Sequence, residues 1–161
     1  MNDAQPQLVA VPAAISVDMR PMAPHDLPAV MEIERQAYEF PWTEGIFRDC
    51  LRVGYHCRVA LRDEIVLGYG VMSMGAGECH LLNICVRPGY QAQGIGRYIV
   101  TELLAHARLN QVTMAFLEVR RSNAAAYRLY SGLGFDEVGV RRNYYPARRG
   151  REDALLLGRA L

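Results

Sequence analysis

The chain has 161 residues, 51% of them hydrophobic and 22% charged, with a formal net charge of +1. That length makes one domain with a single substantial core, and the near-neutral balance excludes the strongly basic signature of a general DNA or RNA binder. No apolar run approaches the ~20 residues that a membrane-crossing helix needs. Cys50, Cys57, Cys79 and Cys85 form no C-x-x-C pair and sit in apolar segments, as free buried thiols of a reducing, cytoplasmic compartment do, which argues against a disulfide or a metal site.

Residues 1–17 lack a basic leader and a cleavage site, so they are expected to be a flexible extension ahead of one domain over 18–161. After an initial strand, Asp26 is placed to cap a helix with Pro28 in its first turn and Leu27, Val30, Met31 and Ala37 on its apolar stripe, ending before Pro41. Thr43 caps a second, short helix that turns Phe47, Cys50 and Leu51 inward. Cys57, Val59 and Leu61 alternate as a strand, Arg62-Asp63-Glu64 turns, and Ile65 to Met74 returns. Beyond the Gly75-Ala76-Gly77 loop, a strand from Glu78 to Val86 leads through a glycine turn into a long helix marked by Ile95, Ile99, Leu103, Leu104 and Ala107. Thr113 to Arg120 is the next strand, and Ser122 or Asn123 caps a helix that stops at Gly132 or Gly134. Val138 to Asn143 and Ala154 to Leu157 are the final strands, joined by a loop over residues 144–150. The order implies an α/β fold with a mixed sheet flanked by helices.

The turn Val86-Arg87-Pro88-Gly89-Tyr90-Gln91-Ala92-Gln93-Gly94-Ile95-Gly96-Arg97 carries the clearest chemical signal. A glycine-bearing turn opening onto a helix presents free N–H groups and the positive end of the helix dipole, which suits phosphate. A P-loop would place Lys and Ser or Thr after its last glycine, where this chain has Arg97 and Tyr98. A dinucleotide site would place a third glycine where Ile99 stands. From the residues alone, a tight strand–helix connection without a ligand stays open.

Gln91, Gly94 and Gly96 match the Q/R-x-x-G-x-G/A loop of the GCN5-related N-acetyltransferase superfamily, which this chain resembles from Arg20 to Leu157. The likeness continues through Leu117-Glu118-Val119-Arg120, Ser122-Asn123-Ala124-Ala125-Ala126, Leu129-Tyr130 and Leu133-Gly134-Phe135. The strings Leu82-Asn83-Ile84-Cys85-Val86, Arg141 to Pro146 and Gly150 to Ala154 resemble its bacterial branch that acetylates the N-terminal alanine of a small-subunit ribosomal protein. The resemblance implies a central, mostly antiparallel twisted sheet and acetyl-coenzyme A as co-substrate. It implies pyrophosphate binding by the amides of Ala92, Gln93, Gly94, Ile95, Gly96 and Arg97, and strand-like pairing of the pantetheine arm with Ile84, Cys85 and Val86. Both uses are of main chain, so side-chain identity at Ala92 or Ile95 should matter little, whereas a bulky residue at Gly94 or Gly96 should obstruct the phosphates. Asn123 would contact the coenzyme by its side chain. Read from the residues alone, it is a helix cap.

The resemblance also implies Glu118 as base and Tyr130 as acid for the departing thiolate, with no metal and direct transfer. Burial among apolar strand residues would raise the pKa of Glu118, although pairing with Arg120 or Arg121 is the alternative; Tyr130 is otherwise a core tyrosine beside Tyr127. Val86 is a plausible backbone donor to the thioester carbonyl. Cys85 has no basic neighbour on its strand and reads as a structural thiol. An α-amine with a pKa near 8 is neutral roughly a tenth of the time at pH 7 and a lysine only about once in 2,500, so one modest carboxylate suffices for an N-terminus. The expected partner is the N-terminal peptide of a ribosomal protein, acted on by a monomer. Tyr38, Trp42, Tyr144 and Tyr145 would wall its groove, and Glu34, Glu39 and Glu44 would attract a basic tail. Alternatives are a small-molecule or lysine acceptor and, since five arginines lie between Arg141 and Arg151, a non-catalytic ribosome- or RNA-binding module.

Overall fold

The computed structural model describes residues 16–161, so most of the expected N-terminal extension lies outside the described residues. Strands β1 (Asp18–Pro21), β2 (His56–Arg62), β3 (Ile65–Gly75), β4 (Glu78–Val86), β5 (Met114–Arg120), β6 (Asp136–Pro146) and β7 (Arg151–Ala160) form one seven-stranded sheet in the order β1-β2-β3-β4-β5-β7-β6. Only β4 and β5 pair in parallel; every other neighbour is antiparallel. The helices are α1 (Leu27–Ala37), α2 (Glu44–Arg52), α3 (Ile95–Leu109) and α4 (Ala124–Gly132).

Two apolar layers cover the sheet. Leu27, Val30, Ile33 and Phe47 of α1 and α2 pack with Val59, Tyr69, Val71 and Cys85 on one face. Ile95, Ile99, Leu103, Leu104 and Ala107 of α3 pack with Leu67, Met72, Leu81, Leu117 and Leu157 on the other, joined by Tyr130 and Phe135. The Gly68-Tyr69-Gly70 run of β3 explains the close seat of α3. Added Cβ atoms at Gly68 and Gly70 would come within 2.7 Å of the Cys85 carbonyl and 2.8 Å of a Leu103 methyl, while Tyr69 points the other way. A bulge in β4 re-aims its side chains, because Leu81 and Asn83 pair with the adjacent residues Met72 and Val71 and leave Leu82 as the extra residue. Before it, Cys79 and Leu81 face α3; after it, Asn83 and Cys85 face α1, and Ile84 and Val86 face α3.

Three expectations change. Asp26 precedes α1, but its carboxylate accepts two bonds from Arg20 at 2.7 Å and the Ala23 N–H at 2.8 Å, so it closes the short 3-10 turn Pro24–Asp26 instead of capping the helix. Thr43 does cap α2, accepting from the Ile46 N–H. The final strands are longer than their alternation implied, and Tyr144, Tyr145 and Pro146 belong to β6, not to a loop. β6 lies at the sheet edge, mostly exposed, so apolar periodicity is weak there. Its bulge places Asn143 at φ 52°; Asp153 accepts the Asn143 N–H at 2.9 Å and Arg151 donates to the Asn143 and Tyr144 carbonyls at 2.8 Å.

Candidate functional site

The turn between β4 and α3 is built for close approach of a ligand to main chain. Gly94, the residue before the helix, has φ 87° with open space where a Cβ would stand, and Gly89 has φ 93°. The first intrahelical bond runs from the Tyr98 N–H to the Gly94 carbonyl, which leaves the Ile95, Gly96 and Arg97 amides without intrahelical acceptors. Gln91 ties the turn down by donating to the Val86 carbonyl at 3.1 Å. Two side chains expected to be immaterial are not. Ile95 is buried in the α3 core, and Ala92 holds φ 59°, a conformation that a Cβ disfavours. At Gly96 an added Cβ would meet Leu129 at 3.4 Å and Val86 at 3.7 Å, so this glycine also lets α3 sit beside α4.

Beside the turn, the sheet opens. β4 and β5 pair only from Glu78–Met114 to Leu81–Leu117, although β4 continues to Val86 and β5 to Arg120. Past Leu81 the strands part, and a cavity of about 350 Å³ lies between them. The Cys85 carbonyl lies against Gly68, and the Arg87 N–H bonds Leu67, so this part of β4 turns alternate peptide groups toward β3. By the same alternation, the open edge presents the main chain of Ile84 and Val86, whose carbonyls accept from the Tyr38 hydroxyl at 2.9 Å and from Gln91.

Glu118 on β5 and Tyr130 on α4 both line this cavity, together with Ile84 and Asn123. Tyr130 is 8% exposed, set edge-to-face on Phe135, and burial pushes its phenol well above the usual range, so it stays protonated. Glu118 does not stand alone among apolar residues. Its side chain is 23% exposed and pairs with Arg141 of β6 at 3.2 Å. The arginines expected beside it are engaged elsewhere, Arg120 with Glu152 and Arg121 with Asp153. Asn123 caps α4, accepting from the Ala126 N–H at 3.1 Å, while its side chain also borders the cavity. Cys85 is buried, with its thiol pushed up to about 11 by burial, which suits a structural role.

The same cavity is walled by Tyr38, Phe40 and Trp42 from the α1–α2 connection and by Tyr145 and Pro146 from β6; Tyr144 is not among its lining residues, although its hydroxyl reaches Glu118 at 3.5 Å. Arg120 joins the two walls, its guanidinium 4.4 Å from the Tyr145 ring centre and 5.5 Å from that of Phe40. The three glutamates do not form an acidic lure. Glu34 is buried, Glu39 pairs with Arg148 at 2.8 Å, and Glu44 pairs with Arg48. Three of the five arginines between positions 141 and 151 are engaged within the chain, Arg141 by Glu118, Arg148 by Glu39 and Arg151 by backbone carbonyls. Sequence reasoning missed Phe40, Arg120, Asn83 and Tyr69; for Phe40 the Phe-Pro-Trp run was an available signal of a rigid aromatic connection. Among the described residues no group of three or more His, Cys, Asp or Glu side chains is arranged to hold a metal, and no helix is long and apolar enough to cross a membrane.

The model of the acetyltransferase (GNAT) family matches residues 27–135, which spans the parted strands, the glycine turn and α4. The chain belongs to this acetyltransferase family. GNAT relatives include the ribosomal protein bS18-alanine N-acetyltransferases of Escherichia coli K12, 40% identical over 132 residues (82% of this chain, 89% of the relative), and of Haemophilus influenzae, 33% identical over 133 residues (82% and 90%). The crystal structure of the ribosomal-protein-S18-alanine N-acetyltransferase from Escherichia coli superposes with a TM-score of 0.84 at 36% identity, covering 90% of this chain and 94% of that one. The mixed, mostly antiparallel sheet with its helices is therefore the GNAT fold, and acetyl-coenzyme A is the co-substrate that this family uses. The turn's free amides, left-handed Gly94 and the adjoining open strand edge fit that molecule.

Proposed function

We propose that this chain moves an acetyl group from acetyl-coenzyme A to the α-amine of a polypeptide that begins with alanine, the ribosomal acceptor for which its relatives are named. The observation that carries this reading is the meeting of Glu118 and Tyr130, from different elements, in the one cavity that opens where β4 and β5 part. The amides of residues 92–97 would hold the pyrophosphate, the main chain of Ile84 and Val86 would flank the pantetheine arm, and Asn123 would contact it from α4.

The amine nitrogen forms a bond to the thioester carbon as the carbon–sulfur bond breaks. Glu118 takes the amine proton, directly or through water, and the Tyr130 hydroxyl gives a proton to the departing thiolate. Tyr130 is available as a donor at neutral pH, as any phenol is, and it lines the cavity beside the proposed reacting atoms. Solvent then restores both groups. The high value of the Cys85 thiol supports direct transfer over a covalent acetyl-enzyme. The aromatic lining of Tyr38, Phe40, Trp42 and Tyr145 supports a chain end as acceptor, with an α-amine that is partly neutral at pH 7.

Peptides beginning with alanine, the same peptides blocked at the N-terminus, and peptides carrying only an internal lysine amine provide the test. Mass spectrometry should find one acetyl group on the free α-amine and none on the blocked series. Transfer to lysine alone would overturn the reading.

A further inference from the structure

The carboxylate of Glu34 is a buried polar group that the chemistry above does not use. It stands on α1 with 1% of the residue exposed, yet it borders the cavity. Three separate segments donate to it: the Trp42 N–H at 2.9 Å, Asn83 Nδ2 of β4 at 3.1 Å, and the Tyr69 hydroxyl of β3. All three are donors, so both carboxylate oxygens serve as acceptors. The indole of Trp42 in turn packs 5.2 Å from Phe47, which sits edge-on to Tyr69 at 5.6 Å. At the start of the same connection, Tyr38 is fastened to the Ile84 carbonyl. The segment that carries Tyr38, Phe40 and Trp42 into the cavity is thus pinned at Tyr38 and at Trp42, and the second pin is Glu34.

We infer that Glu34 is a positioning residue for the acceptor: by holding the α1–α2 connection at Trp42, it shapes the aromatic wall of the cavity that receives the polypeptide N-terminus. The inference rests on the proposed reaction for the identity of what enters there. It places Glu34 off the path of the protons and predicts an effect on acceptor binding alone.

Trp42 is the single tryptophan of the chain, so its emission reports the position of this segment without any substrate. Glu34→Ala should shift that emission to the red, raise its quenching by acrylamide, and raise KM for an alanine-terminated peptide by about tenfold or more, with kcat and KM for acetyl-coenzyme A changed by less than about threefold. Glu34→Gln should recover both signals. Its oxygen can keep the Trp42 bond, while its amide donates to the Tyr69 oxygen and to a flipped Asn83 carbonyl. If Glu34→Ala does not fold by circular dichroism, Glu34→Asp carries the same test, since a carboxylate one methylene shorter cannot span all three donors. A folded variant with the emission, quenching and acceptor KM of the parent overturns the inference, as does an equal rise in KM for both substrates. If the parent acetylates no peptide, the proposed reaction fails, and Trp42 emission and quenching still decide whether Glu34 positions the segment.

Discussion

Glu118 sits between two chemistries, facing the cavity on one side and the Arg141 guanidinium on the other. Tyr144 approaches the same carboxylate with its hydroxyl 3.5 Å away. A carboxylate so tethered is oriented, and under the proposed reaction its removal should cost transition-state stabilisation more than binding. Glu118→Gln and Tyr130→Phe are each expected to lower kcat by roughly a hundredfold or more with little change in KM, read by thiol release. Cys85→Ala, which removes a thiol that burial keeps protonated, should retain most of the rate; rapid-quench trapping of an acetyl group on the protein would contradict this. Glu118 and Tyr130 were singled out by the family resemblance, and both line the cavity. Their partners were not, because Arg141 and Tyr145 come from an edge strand whose polar, exposed residues conceal its periodicity. Glu34 was misread for a related reason. It lies in an amphipathic stretch that suggests a solvent-facing carboxylate, and the donors that bury it are 35 and 49 residues away.

At the scale of elements, the turn into α3 and the start of α4 hold the positions where local geometry and ligand binding coincide. Gly94→Ala forces a Cβ into a left-handed residue and is expected to cost about 1 kcal/mol of stability, visible as a lower Tm, together with a higher KM for acetyl-coenzyme A. Asn123→Ala removes the acceptor for the Ala126 N–H and should cost about 1 kcal/mol by denaturant unfolding. If only a cap, Asn123 will show the stability loss with no change in coenzyme affinity. These elements were readable because caps and left-handed glycines are local signals. The bulge at Leu82 was not, since alternation on both sides of it looks regular and only the pairing to β3 shows the extra residue.

The whole molecule is held by a sheet with a separate apolar layer on each face, and one contact across it carries a pH dependence. His56 of β2 stacks on His106 of α3, ring centres 3.6 Å apart; burial first, then His106 and Arg58, lowers His56 to about 4. Below about 6.5 the unfolded chain takes up a proton at this imidazole that the folded chain refuses, so this contribution is complete above that pH and declines toward pH 4. Calorimetry between pH 4 and 7 should show Tm falling with acidity, and His56→Gln should flatten part of the slope. Asp26, held below its ordinary value by Arg20, adds a loss at still lower pH.

The short parallel ladder between β4 and β5 makes the sheet a frame with a missing slat. Its left and right parts share strand pairing only from Glu78–Met114 to Leu81–Leu117, and beyond that the facing edges lack each other. A bound molecule with amide groups of its own can supply the absent rung, so acetyl-coenzyme A should act as a structural member while it is there. Hydrogen exchange would register this as slowed amides at Ile84 and Val86 on addition of the coenzyme, with the β2–β3 hairpin as the unchanged internal reference. On the proposed reading the slat would leave as coenzyme A after transfer, and each catalytic cycle would reopen the sheet along the same seam.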